Sequence, residues 1–565
     1  MIEAWIKRVD QNILRTLEGN RFVYPLSLLL IGSFAFFYNL DIALFEGSEG
    51  LYAHISREMA LSGQYFQLTY QGHPYVNKPP LFFWVLAAST RLFGDNEIAL
   101  RLPGTLFSLA TMMLTYFLGK SLFSRTAGFW AALVVATCHL DLWYGRRVLF
   151  DSMQTFFITL ALFAWAKAYL QAASGWWYPI VGLAMALAVM TKGLHGAALP
   201  LVVIIGLLVL TRDVTPLKHR YLHLTVLCTI GILAGYASLL SDNLQWHFSV
   251  FEGYNIAFLF SQPSAPAGNP AYWYLLILWF DFFPWVALLP PSLVWLACKH
   301  PFRLERSELF VLVWFFGMLV ALSLSRLKRE PYLMPLTPAL GLLIGQYCHS
   351  VWSTSEPKRL ATAILRITLS LLAGTFVIAM IYGPDLLQRR WQTPPSVFPH
   401  AYVTVVVLLA MVLGYAAVQS KIRFALGTVA ILAIVFSFGV IGLILPAIDA
   451  AGSARKTSDT IKSFPGTSSE TLYLYSPSWP GNEDIVYYLN LEPALPRLAS
   501  EDMLLARVSE AGHVLAIMDN TSLAALKARP DLSLEVVQEF PQRRRMDMHL
   551  LKIKLAASPD NPGSR

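Results

Sequence analysis

Apolar runs approaching or reaching the roughly 17–25 residues that cross a bilayer as a helix recur along most of the chain, parted by short polar loops. They fall at residues 22–39, 102–118, 127–142, 155–170, 177–190, 197–210 and 221–239. A second series follows at 272–297, 309–324, 332–348, 360–382, 402–417 and 424–445. The pattern predicts about 13 membrane helices. A further apolar stretch at 81–93 is short and reads as re-entrant or interfacial.

Three stretches break this rhythm. Residues 1–21 read as a short amphipathic helix bearing Lys7, Arg8, Arg15 and Arg21. Residues 41–81 form a polar loop after the first span. Residues 449–565 are polar, with strand-like runs at 471–475, 484–489, 514–518, 534–537 and 549–553. Helical patterns at 500–510 and 522–529 complete a small α/β domain. The expected fold is a polytopic α-helical membrane protein: a cytoplasmic N-terminus (1–21), a transmembrane domain (22–448) and an extracytoplasmic α/β domain (449–565).

Composition agrees. Hydrophobic residues make up 56% of the chain and charged residues 14%, against roughly 25% charged in soluble proteins. Mean hydropathy is +0.51. Soluble, fibrous and disordered classes are excluded. The net charge of +8 is dispersed among membrane loops, which argues against nucleic-acid binding. Basic clusters at Lys120 and Arg125, at Arg212, Lys218 and Arg220, at Lys299, Arg303 and Arg306, at Lys358 and Arg359, and at Lys421 and Arg423 mark one side as cytoplasmic. An odd span count then puts the C-terminus outside. No cleavable signal peptide is evident. The 4 cysteines, Cys138, Cys228, Cys298 and Cys348, lie in or beside apolar spans and are expected as buried thiols.

Cations on the opposite side run against that bias: Lys78, Arg101, Arg146, Arg147, Lys192, Arg326, Lys328, Arg329, Arg389 and Arg390. Some outside charges are tolerated in any membrane protein. Several of these, notably Arg146, Arg147, Arg326, Lys328 and Arg329, sit in very short loops where they can converge on an anion. Lys78 precedes Pro79 and Pro80, which hold the backbone extended and can aim its ammonium at a phosphate; a lysine snorkelling to the interface accounts for it as well. Tyr332 follows Pro331 and is either an interfacial belt residue or part of the same pocket.

Carboxylates occur at the same depth. Glu46 and Glu49 lie in the first polar loop. Ser48 and Glu49 have the look of a helix start, with Glu49 in the first turn where the dipole favours negative charge. On that helix Tyr52 and Ser56 share the face of Glu49. Asp151 follows Arg146 and Arg147; it is either the N-cap of the next span or a member of a polar pocket, the usual role of ionisable groups within the bilayer. The histidines, among them His54, His73, His195 and His247, are scattered without zinc spacing. A divalent metal is therefore not supported by the ligand pattern, and the sequence names no cofactor. Glycine-rich nucleotide loops and nucleophile elbows are absent from the sequence.

Five stretches together are distinctive: SEGLYAHISREMALSGQY, PYVNKPPLFFWVLAASTRLFGDNEIALRLPGTL, GRRVLFDSM, MTKG at 190–193 and KREPYLMPLTPALGLL from Lys328. They resemble the bacterial polyprenyl-phosphate-dependent GT-C glycosyltransferases, the aminoarabinose transferase-like family related to protein O-mannosyltransferases, over residues 41–346. The resemblance implies a bacterial inner-membrane enzyme that moves a sugar, with inversion, from a polyprenyl-phosphate donor to a lipid, glycan or protein acceptor. It places the acidic loop motif on Ser48 and Glu49, a tyrosine on Tyr75, a lysine on Lys78 and a second-loop aspartate on Asp151. The sequence departs from the family at Ser48, Leu51 and Asn77, where aspartate, arginine and glutamate are usual. Residues 251–260 lack the family's histidine and arginine; Glu46 is a candidate replacement for the aspartate.

The roles then expected are Glu49, with Glu46 or Asp151, as catalytic carboxylates. Lys78, Tyr75, Arg146, Arg147, Lys328, Arg329 and Tyr332 would bind the donor phosphate, and Tyr52 would orient the acceptor or sugar. Two other functions fit the same features: a transporter of lipid-linked sugar, and a non-catalytic polyprenyl-phosphate-binding relative.

Overall fold

The computed structural model describes residues 21–43, 47–75, 77–239, 269–299, 304–325, 328–353, 359–464, 472–475, 483–490, 496–498, 500–540 and 548–556. The N-terminal amphipathic segment up to residue 20, Glu46, His247, residues 251–260, Arg326 and the basic run 543–545 lie outside these.

The apolar pattern folds into a helical bundle. α1 (Val23–Phe37) leads across the first polar loop to α2 (Gly47–Ser62) and α3 (Leu81–Phe93). Then come α4 (Glu97–Leu122), α5 (Arg125–Thr137), α6 (His139–Tyr144), α7 (Phe150–Trp165), α8 (Trp177–Lys192), α9 (His195–Thr211) and α10 (Arg220–Leu239). The second half adds α11 (Trp273–Asp281), α12 (Leu289–Lys299), α13 (Arg306–Leu324), α14 (Thr337–Ser353), α15 (Arg359–Trp391), α16 (His400–Val418) and α17 (Ile422–Phe438). Trp165, Trp285 and Trp314 are among the largest side chains sealed inside the core. Where α14 crosses α5, Gly341 and Gly345 bring the two backbones together. A Cβ on Gly345 would lie 2.3 Å from the Ala127 carbonyl oxygen, the small-residue contact by which membrane helices pack closely.

Among the described residues six helices are long and apolar enough to cross a membrane, or seven if one bent pair counts as a span. Five shorter apolar helices accompany them: α1, α3, α8, α9 and most of α10. The count of about 13 full spans predicted from the apolar runs is not met by helices of that length. Two of the runs contain breaks. Residues 127–142 divide at Cys138, whose backbone is extended, into α5 and α6. Residues 272–297 bend by 107° between α11 and the helical segment that begins at Trp285.

The C-terminal region carries a five-stranded sheet. Its elements are α18 (Ala454–Ser463), β3 (Leu472–Tyr475), α19 (Glu483–Leu489), β4 (Arg497–Leu498), α20 (Glu501–Ala511), β5 (His513–Asp519), α21 (Asn520–Lys527), β6 (Leu532–Phe540) and β7 (Met548–Leu555); β1 (Thr69–Tyr70) and β2 (His73–Pro74) form a separate hairpin in the first polar loop. Strand order is β4-β3-β5-β7-β6, with β4, β3 and β5 parallel and β7 antiparallel to both its neighbours. Alternation along β3 sends Tyr473 and Tyr475 to one core with Leu504 and Leu523, and Leu472 and Leu474 to another with Ile461 and Ile485. Helices thus cover both faces. The strand predicted at 484–489 is the helix α19: its six residues fit either period, and its apolar face is buried against α18 and α2.

Candidate active site

The first polar loop is shaped to present Lys78. Helix α2 starts at Gly47 with Glu49 in its first turn. After α2 the hairpin β1–β2 turns through Gln71 and Gly72, both with positive φ, as a tight primed turn requires. The chain then runs through Tyr75 to Lys78 and Pro79, and Pro80 caps α3. Lys78 thereby stands two residues before the N-cap of α3.

Four elements bring polar groups to one place. Lys192, the last residue of α8, donates to Asp151 Oδ1 in the first turn of α7, with both side chains buried. Asp151 is therefore not the N-cap; Leu149 occupies that position. The Lys192 ammonium also lies 4.1 Å from the centroid of the Tyr332 ring. Lys78 is partly buried and lies within electrostatic reach of Lys192, Asp151 and Arg329. Burial first, then repulsion by Lys192, lowers its ammonium to about 8. Tyr52 of α2 is pushed well up by burial, with Arg329, Asp151 and Tyr332 also acting on it. Its phenol is thus a neutral hydrogen-bond donor. Phe150, 4.4 Å away between ring centroids, and Phe83 pack its sides.

The remaining expected site residues stand apart from this cluster. Glu49 is fully buried and accepts from Arg101 Nε and Nη2, each at 3.3 Å, and from the Val148 amide at 3.1 Å. That pairing occupies the carboxylate expected to act as base. Tyr75 packs edge-on to Phe83 at 6.1 Å. Arg146 donates to the carbonyls of Tyr38 and Asn39. Arg147 lies over the rings of Trp143 and Tyr144, at 4.5 and 5.3 Å. Lys328 donates to the carbonyls of Asn269 and Ser325, which turns its ammonium into the loop. Arg329 is exposed and acts electrostatically on Tyr52 and Lys78.

Two residues that the sequence marks only as cations against the charge bias have buried partners here. Lys192 supplies the partner of Asp151, and Arg101 supplies the partner of Glu49. The signal is that the basic-loop pattern leaves both cations outside its cytoplasmic clusters; the identity of their partners is not in the local sequence. Among the described residues no three His, Cys, Asp or Glu side chains gather as a metal site would require.

A family model described as dolichyl-phosphate-mannose-protein mannosyltransferase matches residues 77–238, the stretch that holds Lys78, Arg101, Asp151 and Lys192. A crystal structure of ArnT from Cupriavidus metallidurans bound to undecaprenyl phosphate superposes with a TM-score of 0.72 at 21% identity, covering 96% of this chain and 100% of that one. The chain shares the fold of that structure. Among curated relatives, an undecaprenyl phosphate-alpha-4-amino-4-deoxy-L-arabinose arabinosyl transferase of Erwinia tasmaniensis is 29% identical over 371 residues, 63% of this chain and 65% of that protein. A protein of Aquifex aeolicus is 29% identical over 335 residues, 58% of this chain and 64% of that protein. The chain thus spans just under two thirds of the length of the curated relatives it matches.

Proposed function

We propose that this protein transfers a sugar from a polyprenyl-phosphate donor to an acceptor at the extracytoplasmic face of a bacterial inner membrane, with inversion. The observation that carries the reading is the pairing of buried Asp151 with Lys192 beside Lys78, Arg329, Tyr52 and Tyr332. A cationic wall next to one carboxylate suits a reaction in which a phosphate leaves and an acceptor oxygen attacks. Support also comes from the relatives named for aminoarabinose transfer from undecaprenyl phosphate.

In this mechanism the acceptor oxygen attacks the anomeric carbon from the face opposite the phosphate. The bond from that carbon to the phosphate oxygen breaks, and its electron pair stays with the phosphate. Lys78, Arg329 and Lys192 stabilise the charge that develops there. Asp151 takes the proton of an acceptor hydroxyl; an acceptor that is itself a phosphate needs orientation only. Tyr52 orients sugar or acceptor by donating its phenol hydrogen. Glu49 holds α2 against Arg101, and Glu46, in the same loop, is the remaining carboxylate candidate. The acceptor is a lipid, a glycan or a protein of the envelope. The proposal includes about 13 membrane segments, a cytoplasmic N-terminus and the C-terminal sheet outside.

The test is transfer by purified protein in lipid nanodiscs, supplied with a synthetic polyprenyl-phosphate sugar and fractionated envelope acceptors, with products read by mass spectrometry. A glycosylated acceptor that requires the protein is the expected result. Movement of intact donor across proteoliposomes without transfer would identify a transporter instead, and donor binding without either would identify a binding relative.

A further inference from the structure

Helix α2 is gripped on a side that the Asp151–Lys192 cluster does not use. Gly50 and Arg57 lie two turns apart on one face, about 100° round the helix from Glu49 and Ser56. Helix α19 of the C-terminal region lies directly on that face. A Cβ on Gly50 would fall 2.3 Å from the Asp484 nitrogen and 2.4 Å from both Asp484 Cα and the Glu483 carbonyl carbon. No side chain fits there unless α19 moves.

Arg57 extends the contact. Its Nη1 donates to the Tyr487 carbonyl at 2.8 Å and to Asn490 Oδ1 at 2.9 Å, and its Nε donates to Asp95 Oδ2 at 2.5 Å. Its guanidinium carbon sits 3.8 Å from the centroid of the Tyr487 ring. The Tyr487 hydroxyl donates to Asp95 Oδ1 at 2.8 Å, and the Tyr488 hydroxyl to Glu97 Oε1 at 2.6 Å. Arg455 of α18 donates to Glu97 Oε1 at 3.1 Å and to the Asp41 carbonyl at 2.9 Å.

These bonds join the C-terminal region to α2 and to the start of α4. The same two helices are joined beneath by Glu49 and Arg101. We infer that α19 is a positioning element for the active site: by seating on Gly50 and Arg57 it sets the rotation of α2 that aims Tyr52 at the Asp151–Lys192 pocket. Arg57 and Tyr487 are then positioning residues, and the inference rests on the transfer reading above for its catalytic consequence alone.

The experiment uses the full chain in nanodiscs. Gly50→Ala should lower kcat about 100-fold, the cost of an ångström-scale misplacement, with KM for the polyprenyl-phosphate sugar within about twofold, because the phosphate wall is untouched. Arg57→Ala should do the same, and Arg57→Lys should restore part of the loss by keeping the charge beside Asp95 without the planar fork. Arg507→Ala, on α20 away from α19, should leave turnover unchanged. A second readout needs no activity: 3-fluorotyrosine at position 52 should change its fluorine chemical shift in Gly50→Ala and not in Arg507→Ala. An unmoved signal, or a loss expressed only in KM, overturns the inference. A moved signal in a protein that transfers no sugar sustains the positioning and refutes the transfer reading.

Discussion

Arg101 closes on Glu49 between α4 and α2, with its guanidinium also donating to the carbonyls of Leu40, Ile42 and Ala43. Neither side chain is open to solvent. One arginine therefore ties the segment after α1, the polar loop and α2 to the bundle.

Glu49→Ala leaves that arginine charged and without its carboxylate. Breaking a buried pair from one side costs about 3–5 kcal/mol. Arg101→Met costs more, since three carbonyls lose their donor as well. Thermal unfolding in nanodiscs should show the double variant less destabilised than the two single effects combined. Additive losses would refute the pairing.

Asp151→Asn keeps the shape of the side chain and removes its charge. Transfer should fall about 100- to 10,000-fold, the usual range for loss of a general base. Binding of polyprenyl phosphate should hold or strengthen, because Lys192 is released toward the anion. Initial rates and equilibrium binding on the same preparation check both halves. A rate within about tenfold of the parent would remove Asp151 from the chemistry.

Lys78 carries a pH prediction. Its ammonium is lowered to about 8 by burial and by Lys192, so it is charged below that pH and neutral above it. KM for the donor should therefore rise between pH 7 and pH 9, and Lys78→Arg should flatten the profile. Stability of the empty protein runs the opposite way: the unfolded chain holds the Lys78 proton up to its higher ordinary value, so this residue's contribution to stability grows with pH across that window. A donor KM independent of pH in the parent protein would count against Lys78 as the phosphate ligand.

Orientation is checked with single cysteines in a background lacking the native four. Ser509→Cys, exposed beside the sheet, should react with a membrane-impermeant maleimide in intact spheroplasts. Lys218→Cys, exposed in the loop before α10, should react only after permeabilisation. The reverse pattern would invert the proposed topology.

Much of this architecture was legible from local pattern. The apolar runs announced a helical membrane protein, and the polar loop drew attention to Lys78 ahead of two prolines. What escaped was long-range pairing. Lys192 and Arg101 stood out as cations on the unexpected side, yet their carboxylates lie 41 and 52 residues away, on other helices. The breaks at Cys138 and near Pro284 were hidden because an apolar run records burial and not direction. The run DIVYYL reads as a strand for the same reason: β-branched and aromatic residues fit either element, and only the surface beneath it decides.

The bare α-carbon of Gly50 has a genealogical consequence. Since a backbone from the last hundred or so residues fills the room a side chain would take, neither partner can be swapped between relatives alone. A hybrid that borrows a foreign tail must inherit the matching opening loop with it, so the two ends of this chain, hundreds of positions apart, are constrained to diverge in step.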